Sequence, residues 1–207
     1  MMFRCIRFVV KCFMHIIFRI HVHNKENLPM EGACIVALNH KSLWDAPLVV
    51  TVLPRPLCFM AKKELFKNPI LAGILRWSGA FPVARGTSDI GAIKTALSVL
   101  KADKALALFP EGRRVGENEA HTAKAGVALF AEKTGAPIVP VALGGKYRLF
   151  ARLDVYVGEP IWVKSEDGSK LSGEQLQEIS DRLMAFILQM AETGKGTKKE
   201  QNAWTLE

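Results

Sequence analysis

The sequence predicts an α/β fold, a single domain on a largely parallel or mixed sheet flanked by helices. Apolar runs of strand length alternate with helix-length patterns, which is the signature of βα units. No internal repeat or linker divides the chain, and 207 residues suit one compact domain with a substantial core. Strands are expected at 34–38, 57–61, 80–83, 105–109, 138–143 and 153–157, and helices at about 43–52, 69–77, 88–101, 123–134 and 173–193. Two of these helices are well signalled. Ser88 and Asp89 can cap one whose apolar face is Ile90, Ile93, Leu97 and Leu100. The last carries Leu176, Ile179, Leu183, Phe186, Ile187 and Met190 in a 3.6-residue stripe. The expected division is an amphipathic membrane-associating helix over 1–22, the main domain over 23–193, and a mobile polar tail over 194–207.

The opening MMFRCIRFVVKCFMHIIFRI sets Arg4, Arg7, Lys11, His15 and Arg19 three or four residues apart, on one stripe of an otherwise apolar helix. Its charges interrupt any uncharged run long enough to span a bilayer, and it lacks the charge placement and small-residue cleavage site of a secretory signal. Such a helix suits the membrane interface, its basic stripe toward lipid phosphates. An ordinary core helix is the competing reading.

Hydrophobic residues at 49% and charged residues at 23% exclude a disordered chain. Lys plus Arg number 28 against 20 acids, a net +8 that calls for an anionic partner: nucleic acid, anionic lipid or a phosphorylated substrate. No nucleic-acid-binding motif is present, so nucleic acid is not expected. Cys5, Cys12, Cys34 and Cys58 form no C-x-x-C pair, and His21 with His23 lacks a nearby third ligand; free thiols and no metal site are expected.

The chemistry-bearing residues gather at strand ends. IVALNHKSLWDAP places His40 and Asp45 just past a strand, where ligand crevices of open α/β sheets form. An imidazole is suited to proton removal near neutral pH, and a carboxylate on its other nitrogen fixes tautomer and orientation. A pair at this spacing also arises by chance, and a capping or core histidine is the alternative. ALALFPEGRR brings Glu111, Gly112, Arg113 and Arg114 to the end of another strand. Glycine permits close backbone approach and guanidiniums suit phosphate, although a solvated basic loop reads similarly. GAFPVAR delivers Arg85, and AKKELFKNP supplies Lys62 and Lys63. In a parallel sheet these ends share one rim, beside which a phosphate-bearing substrate would meet a base.

In that order the blocks NHKSLWD, GAFPVAR, FPEGRR and IVPVAL resemble those of the glycerolipid acyltransferase family typified by 1-acylglycerol-3-phosphate acyltransferase, over about residues 20–160. The resemblance implies that His40 deprotonates the acceptor hydroxyl and that Asp45 orients it. The alkoxide would attack the thioester of acyl-CoA or acyl carrier protein directly, with no cofactor and no covalent acyl-enzyme. Glu111, Gly112 and Arg114 fall on the acceptor-binding block, Arg85 on a second phosphate-contacting block, and Lys62 on the A-K-x-E-L segment. It further implies lysophosphatidate as acceptor, phosphatidate as product, and a peripheral or monotopic place on the cytoplasmic face of the membrane. Where the family has Thr, this chain has Arg113, and Val115 replaces a frequent Ser, which adds a cation beside the phosphate and removes two hydroxyls. Val139, Pro140 and Val141 carry no reactive group and suit a structural or acyl-pocket role. Ser42 lacks a nucleophile-elbow setting, which argues against a covalent route. Another lysophospholipid or glycerol 3-phosphate as acceptor, a hydrolase using His40 and Asp45, and a non-enzymatic basic peripheral membrane protein are the alternative readings.

Overall fold

The computed structural model describes residues 2–84, 89–116, 119–164 and 169–194, with the side chains of all of them except 2–6 and 77. Its centre is a seven-stranded sheet. In chain order the strands are β1 (Arg19–His23), β2 (Cys34–Leu38), β3 (Leu57–Lys62), β4 (Phe81–Val83), β5 (Ala105–Leu108), β6 (Ile138–Gly145) and β7 (Arg152–Val157), and in space they run β1-β7-β6-β2-β5-β3-β4. The central strands β2 and β5 are buried along their whole length, as expected of apolar runs covered on both faces. Among the described residues six α-helices flank the sheet: α1 (Met2–Ile17), α2 (Asp45–Val52), α3 (Pro69–Trp77), α4 (Ile90–Lys101), α5 (Gly126–Thr134) and α6 (Gly173–Thr193). Along β2, Ile35 and Ala37 face a core built with α4, α5 and α6, while Cys34, Val36 and Leu38 face a second core that takes in Met14 of α1, Leu48 and Val49 of α2, and the inner side of α3.

The six expected strands and five expected helices of the main domain all form, with ends shifted by a few residues at most. One strand escaped the sequence reading. The helix expected over 1–22 ends at Ile17, and 19–23 instead forms β1, parallel to β7. Its alternation of Arg19, His21 and His23 with Ile20 and Val22 has the two-residue period of a strand, which the helical spacing of the preceding bases obscures. The sheet is mixed because β6 and β7 pair antiparallel; the 146–151 connection is too short for a parallel crossover. Strands β2 to β6 are mutually parallel, so their C-terminal ends share one rim.

Helix α1 turns Val10, Met14 and Ile17 inward, and the Arg7 guanidinium donates to the Leu53 carbonyl at the end of α2. Phe8, Val9, Phe13 and Ile16 face out, beside exposed Lys11 and His15. Among the described residues no helix is long and apolar enough to cross a membrane. Asp89 caps α4 by accepting from the Ala92 amide at 3.0 Å; Ser88, expected to share that role, lies outside the described residues, as does the tail expected over 194–207 beyond Gly194.

The end of the sheet opposite the shared rim is held by one buried cation. Arg55, 8% exposed, donates to the carbonyls of Pro29 (2.6 Å), Gly32 (2.9 Å) and Asp103 (3.3 Å), tying together the segments that lead into β2 and β5. Arg55→Met keeps a side chain of comparable reach in the buried position but removes these charge-assisted donors. A loss of about 3 kcal/mol in unfolding free energy is expected, measured by urea denaturation.

Candidate functional site

Register decides what meets at the rim. Ala37 of β2 lies opposite Leu108 of β5, so extending both strands by three residues sets His40 level with Glu111. Asn39 continues the β2–β6 ladder through its side chain, accepting from the Leu143 amide at 2.8 Å and donating to the Leu143 carbonyl at 3.1 Å. The chain then turns sharply into α2. The first helical residue, Asp45, folds back under the turn.

Asp45 is fully buried, and its carboxylate is satisfied by four donors. Oδ2 accepts from His40 Nδ1 (2.8 Å) and from the amides of Lys41 (2.8 Å) and Ser42 (2.7 Å); Oδ1 accepts from the Tyr147 hydroxyl at 2.6 Å. With Nδ1 donating to this carboxylate, Nε2 of His40 carries the lone pair, the tautomer a general base needs. Tyr147 is correspondingly bound to its proton: burial, then the Asp45 charge and hydrogen bond, push the phenol well above its ordinary range. The imidazole stacks on Phe109, ring centroids 3.9 Å apart and 18° from parallel.

A second buried carboxylate grips the same residue from its backbone. Glu111 Oε2 accepts from the His40 amide at 2.7 Å, and Oε1 pairs with Nδ1 of His121 at 2.5 Å. Burial raises the Glu111 pKa, opposed by the hydrogen bonds from His121 and the His40 amide. The amide of Val115 closes the loop by donating to the His40 carbonyl at 2.8 Å. Gly112 sits at φ +67°, and any Cβ there would stand 2.9 Å from Lys124 Cε, so the Lys124 side chain lies directly over the turn.

Beyond Phe109 opens a cavity of about 230 Å³, lined mainly by apolar groups such as Met60, Ile93, Val127 and Phe130, with Gly112 and Lys124 also on its wall. His40 is not in the lining; Phe109 stands between the two. Val139, Pro140 and Val141 do not reach the cavity either. All three are buried within β6, where Pro140 packs so closely on Gly158 that a Cβ there would lie 2.6 Å from its ring.

The structure thus unites His40, Asp45 and Glu111. Arg113 is exposed and bonds within its own loop, to Glu119 and to the Arg114 carbonyl. Arg114 is exposed one residue before the Val115 tether. Lys62 ends β3 on the same rim, exposed and 3.9 Å from Glu64. Arg85, two residues past β4, lies outside the described residues. Sequence reasoning missed Tyr147, Phe109 and His121 as parts of the site. The first and last lie 102 and 10 residues from the groups they bond, with no spacing signal to betray them.

The profile of the acyltransferase family matches residues 19–144. The chain belongs to the acyltransferase family. It is 31% identical over 195 residues to the 1-acyl-sn-glycerol-3-phosphate acyltransferase of Streptococcus pneumoniae, covering 89% of this chain and 72% of that one. It is 35% identical over 148 residues to the enzyme of the same name from Bacillus subtilis, covering 69% and 73%. The crystal structure of the 1-acyl-sn-glycerophosphate acyltransferase from Thermotoga maritima shares the fold, with a TM-score of 0.66 at 24% identity over 86% of this chain and 73% of that chain. The matched acyltransferase span opens at β1 and closes within β6. It therefore encloses His40, Asp45, Glu111 and His121 but not Tyr147.

The Glu111–His121 pair makes a pH-dependent prediction. In His121→Leu a hydrogen bond that lowers the Glu111 pKa is lost, so the folded-state pKa rises further above the unfolded value. A raised carboxylate pKa penalises the folded state only where the unfolded carboxyl is ionised. The stability deficit of the variant should therefore be small below about pH 4, grow as pH rises through the carboxylate range, and level off above the folded pKa. Urea midpoints of both proteins between pH 4 and 8 measure it; a deficit constant across that range would contradict the pairing.

Proposed function

We propose that the protein transfers a fatty acyl group from an acyl thioester to the free sn-2 hydroxyl of 1-acylglycerol 3-phosphate, giving phosphatidate. The observation that carries the reading is the 2.8 Å bond from His40 Nδ1 to the fully buried Asp45, on a rim to which Lys62 and Arg114 also belong. His40 Nε2 takes the proton of the acceptor hydroxyl, and Asp45 stabilises the imidazolium that forms. The acceptor oxygen adds to the thioester carbonyl of acyl-CoA or acyl carrier protein; the tetrahedral intermediate collapses, the C–S bond breaks, and the thiolate recovers the proton from His40. No covalent acyl-enzyme is needed, because a thioester is already activated. The names of the bacterial relatives support lysophosphatidate as the acceptor.

Arg114, Lys62 and Arg85 are assigned to the acceptor phosphate. Glu111 contributes differently: both of its oxygens are engaged, one on the His40 amide and one on His121, so it shapes the loop that carries Gly112 and Arg114. Arg113, paired with Glu119, adds its charge from the loop's outer side. The apolar cavity behind Phe109 suits part of an acyl chain. The outward face of α1 (Phe8, Val9, Phe13, Ile16), with Lys11 and His15 beside it, supports a peripheral or monotopic placement on the membrane, which this reading puts at the cytoplasmic face.

His40→Ala should lower kcat for acyl transfer to lysophosphatidate by about 10³-fold or more while the protein remains folded, as circular dichroism would show. Undiminished turnover would remove His40 as the base. Arg114→Ala should raise the acceptor KM by about tenfold or more while leaving the donor KM nearly unchanged, since one charge-assisted contact to phosphate is lost. Steady-state kinetics with each substrate varied in turn distinguish this from an equal effect on both, which would place Arg114 elsewhere.

A further inference from the structure

Helix α3 presents an apolar face to solvent although it is firmly built. Ile70 is 76% exposed, Ile74 45% and Leu71 36%, with Leu65 of the preceding turn at 40%. Positions 70, 71 and 74 lie on one side of the helix. The opposite side is well seated, with Ala72 buried and Leu75 packed on the sheet. Asn68 caps the first turn by accepting from the amides of Ile70 and Leu71, and the Ser78 amide closes the last turn onto the Ile74 carbonyl. The exposed face therefore belongs to an anchored helix.

Its surroundings specify what it meets. Segment 62–80 carries Lys62, Lys63, Lys67 and Arg76 against the single acid Glu64, which lies 3.9 Å from Lys62. Lys67 and Arg76, both exposed, flank the apolar face in the chain, and Arg76 leans over the Phe66 ring at 5.8 Å. A second copy docking symmetrically on this face would bring cation against cation. An anionic lipid surface satisfies both features, taking isoleucines and leucines below the phosphates and the cations at them. Helix α3 also lies on the same side of the sheet as α1, and it follows directly from the rim where Lys62 ends β3.

We propose that α3 is a second lipid-docking surface, which seats Ile70, Leu71 and Ile74 in the interface of an anionic membrane so that the His40 rim faces lipid on both flanks. The proposal rests on the acyltransferase reading in one respect, that the acceptor is drawn from that membrane. A contact on either side of the site would fix its orientation over the bilayer, where α1 alone would leave the molecule free to tilt.

The test compares the full chain with Ile70→Asp/Ile74→Asp and with Lys67→Glu. Vesicles are phosphatidylcholine, with or without phosphatidylglycerol, and binding is read by co-sedimentation. The double variant should lose about tenfold or more in partitioning to both vesicle types, from the apolar area it no longer buries. Lys67→Glu should lose affinity only for the anionic vesicles. Both should keep the melting temperature and their turnover of a short-chain, water-soluble lysophosphatidate. Equal partitioning of the wild-type chain and the double variant overturns the proposal. So does a double variant that loses soluble-substrate turnover in parallel with binding, or one that changes only self-association in sedimentation velocity. A wild-type chain that binds vesicles but acylates no short-chain lysophosphatidate defeats the acyltransferase reading instead, leaving the docking result standing.

Discussion

The site is organised around the burial of one carboxylate. Asp45 has no solvent exposure, and an unpaired carboxylate at that depth would cost several kcal/mol. Four donors satisfy it: two amides of the turn it follows, the His40 imidazole and the Tyr147 hydroxyl. The turn can meet this demand in few conformations, because the amides of Lys41 and Ser42 must converge on the same oxygen as the imidazole. Orientation of the His40 imidazole is therefore a consequence of solvating Asp45 from within the protein. Tyr147 brings the β6–β7 connection into the arrangement, and its ring meets Phe18 edge-on at 5.5 Å, so the end of the N-terminal segment packs against the group that completes Asp45.

His40 is held a second time through its main chain. Glu111, the other buried carboxylate at this rim, takes the His40 amide on one oxygen and His121 on the other. Ring and backbone of one residue are thus fixed by separate carboxylates from different elements. A side chain so constrained has little rotamer freedom left to lose, which is the structural meaning of pre-organisation. The parallel strands make this affordable in sequence. His40 and Glu111 are each a few residues past a strand end, and the β2–β5 register alone brings them level.

How much of this could be read from the chain follows from the range of each interaction. His40 and Asp45 are five residues apart on one turn, so their pairing is local and visible as spacing. The cation-bearing strand ends were likewise legible, because continuous apolar runs flanked by Gly or Pro mark buried parallel strands. Tyr147 was not, since it reaches Asp45 only after the chain has built β6 and turned toward β7. Glu111 sat in a recognised block, yet its partners could not be guessed: the His40 amide depends on register, and His121 on the path of a loop with no periodicity. Strand β1 was lost for another reason. Its five residues continue the basic spacing of α1, and only pairing with β7, distant in the chain, turns them from helix to strand.

That late strand also explains where the N-terminal helix lies. Strand β7 runs against β6, so it begins at the rim where β6 ends, and β1, parallel to β7, must begin there too. The last turn of α1 is thereby delivered to the site, with the Phe150 amide bonded to the Ile17 carbonyl and the ring of Phe13 against Trp44 in the turn before Asp45. Had β7 been parallel, α1 would enter at the opposite end, beside Arg55, far from His40. One reversal of strand direction therefore sets the outward apolar face of α1, with Phe13 against Trp44, beside the turn that carries His40 and Asp45.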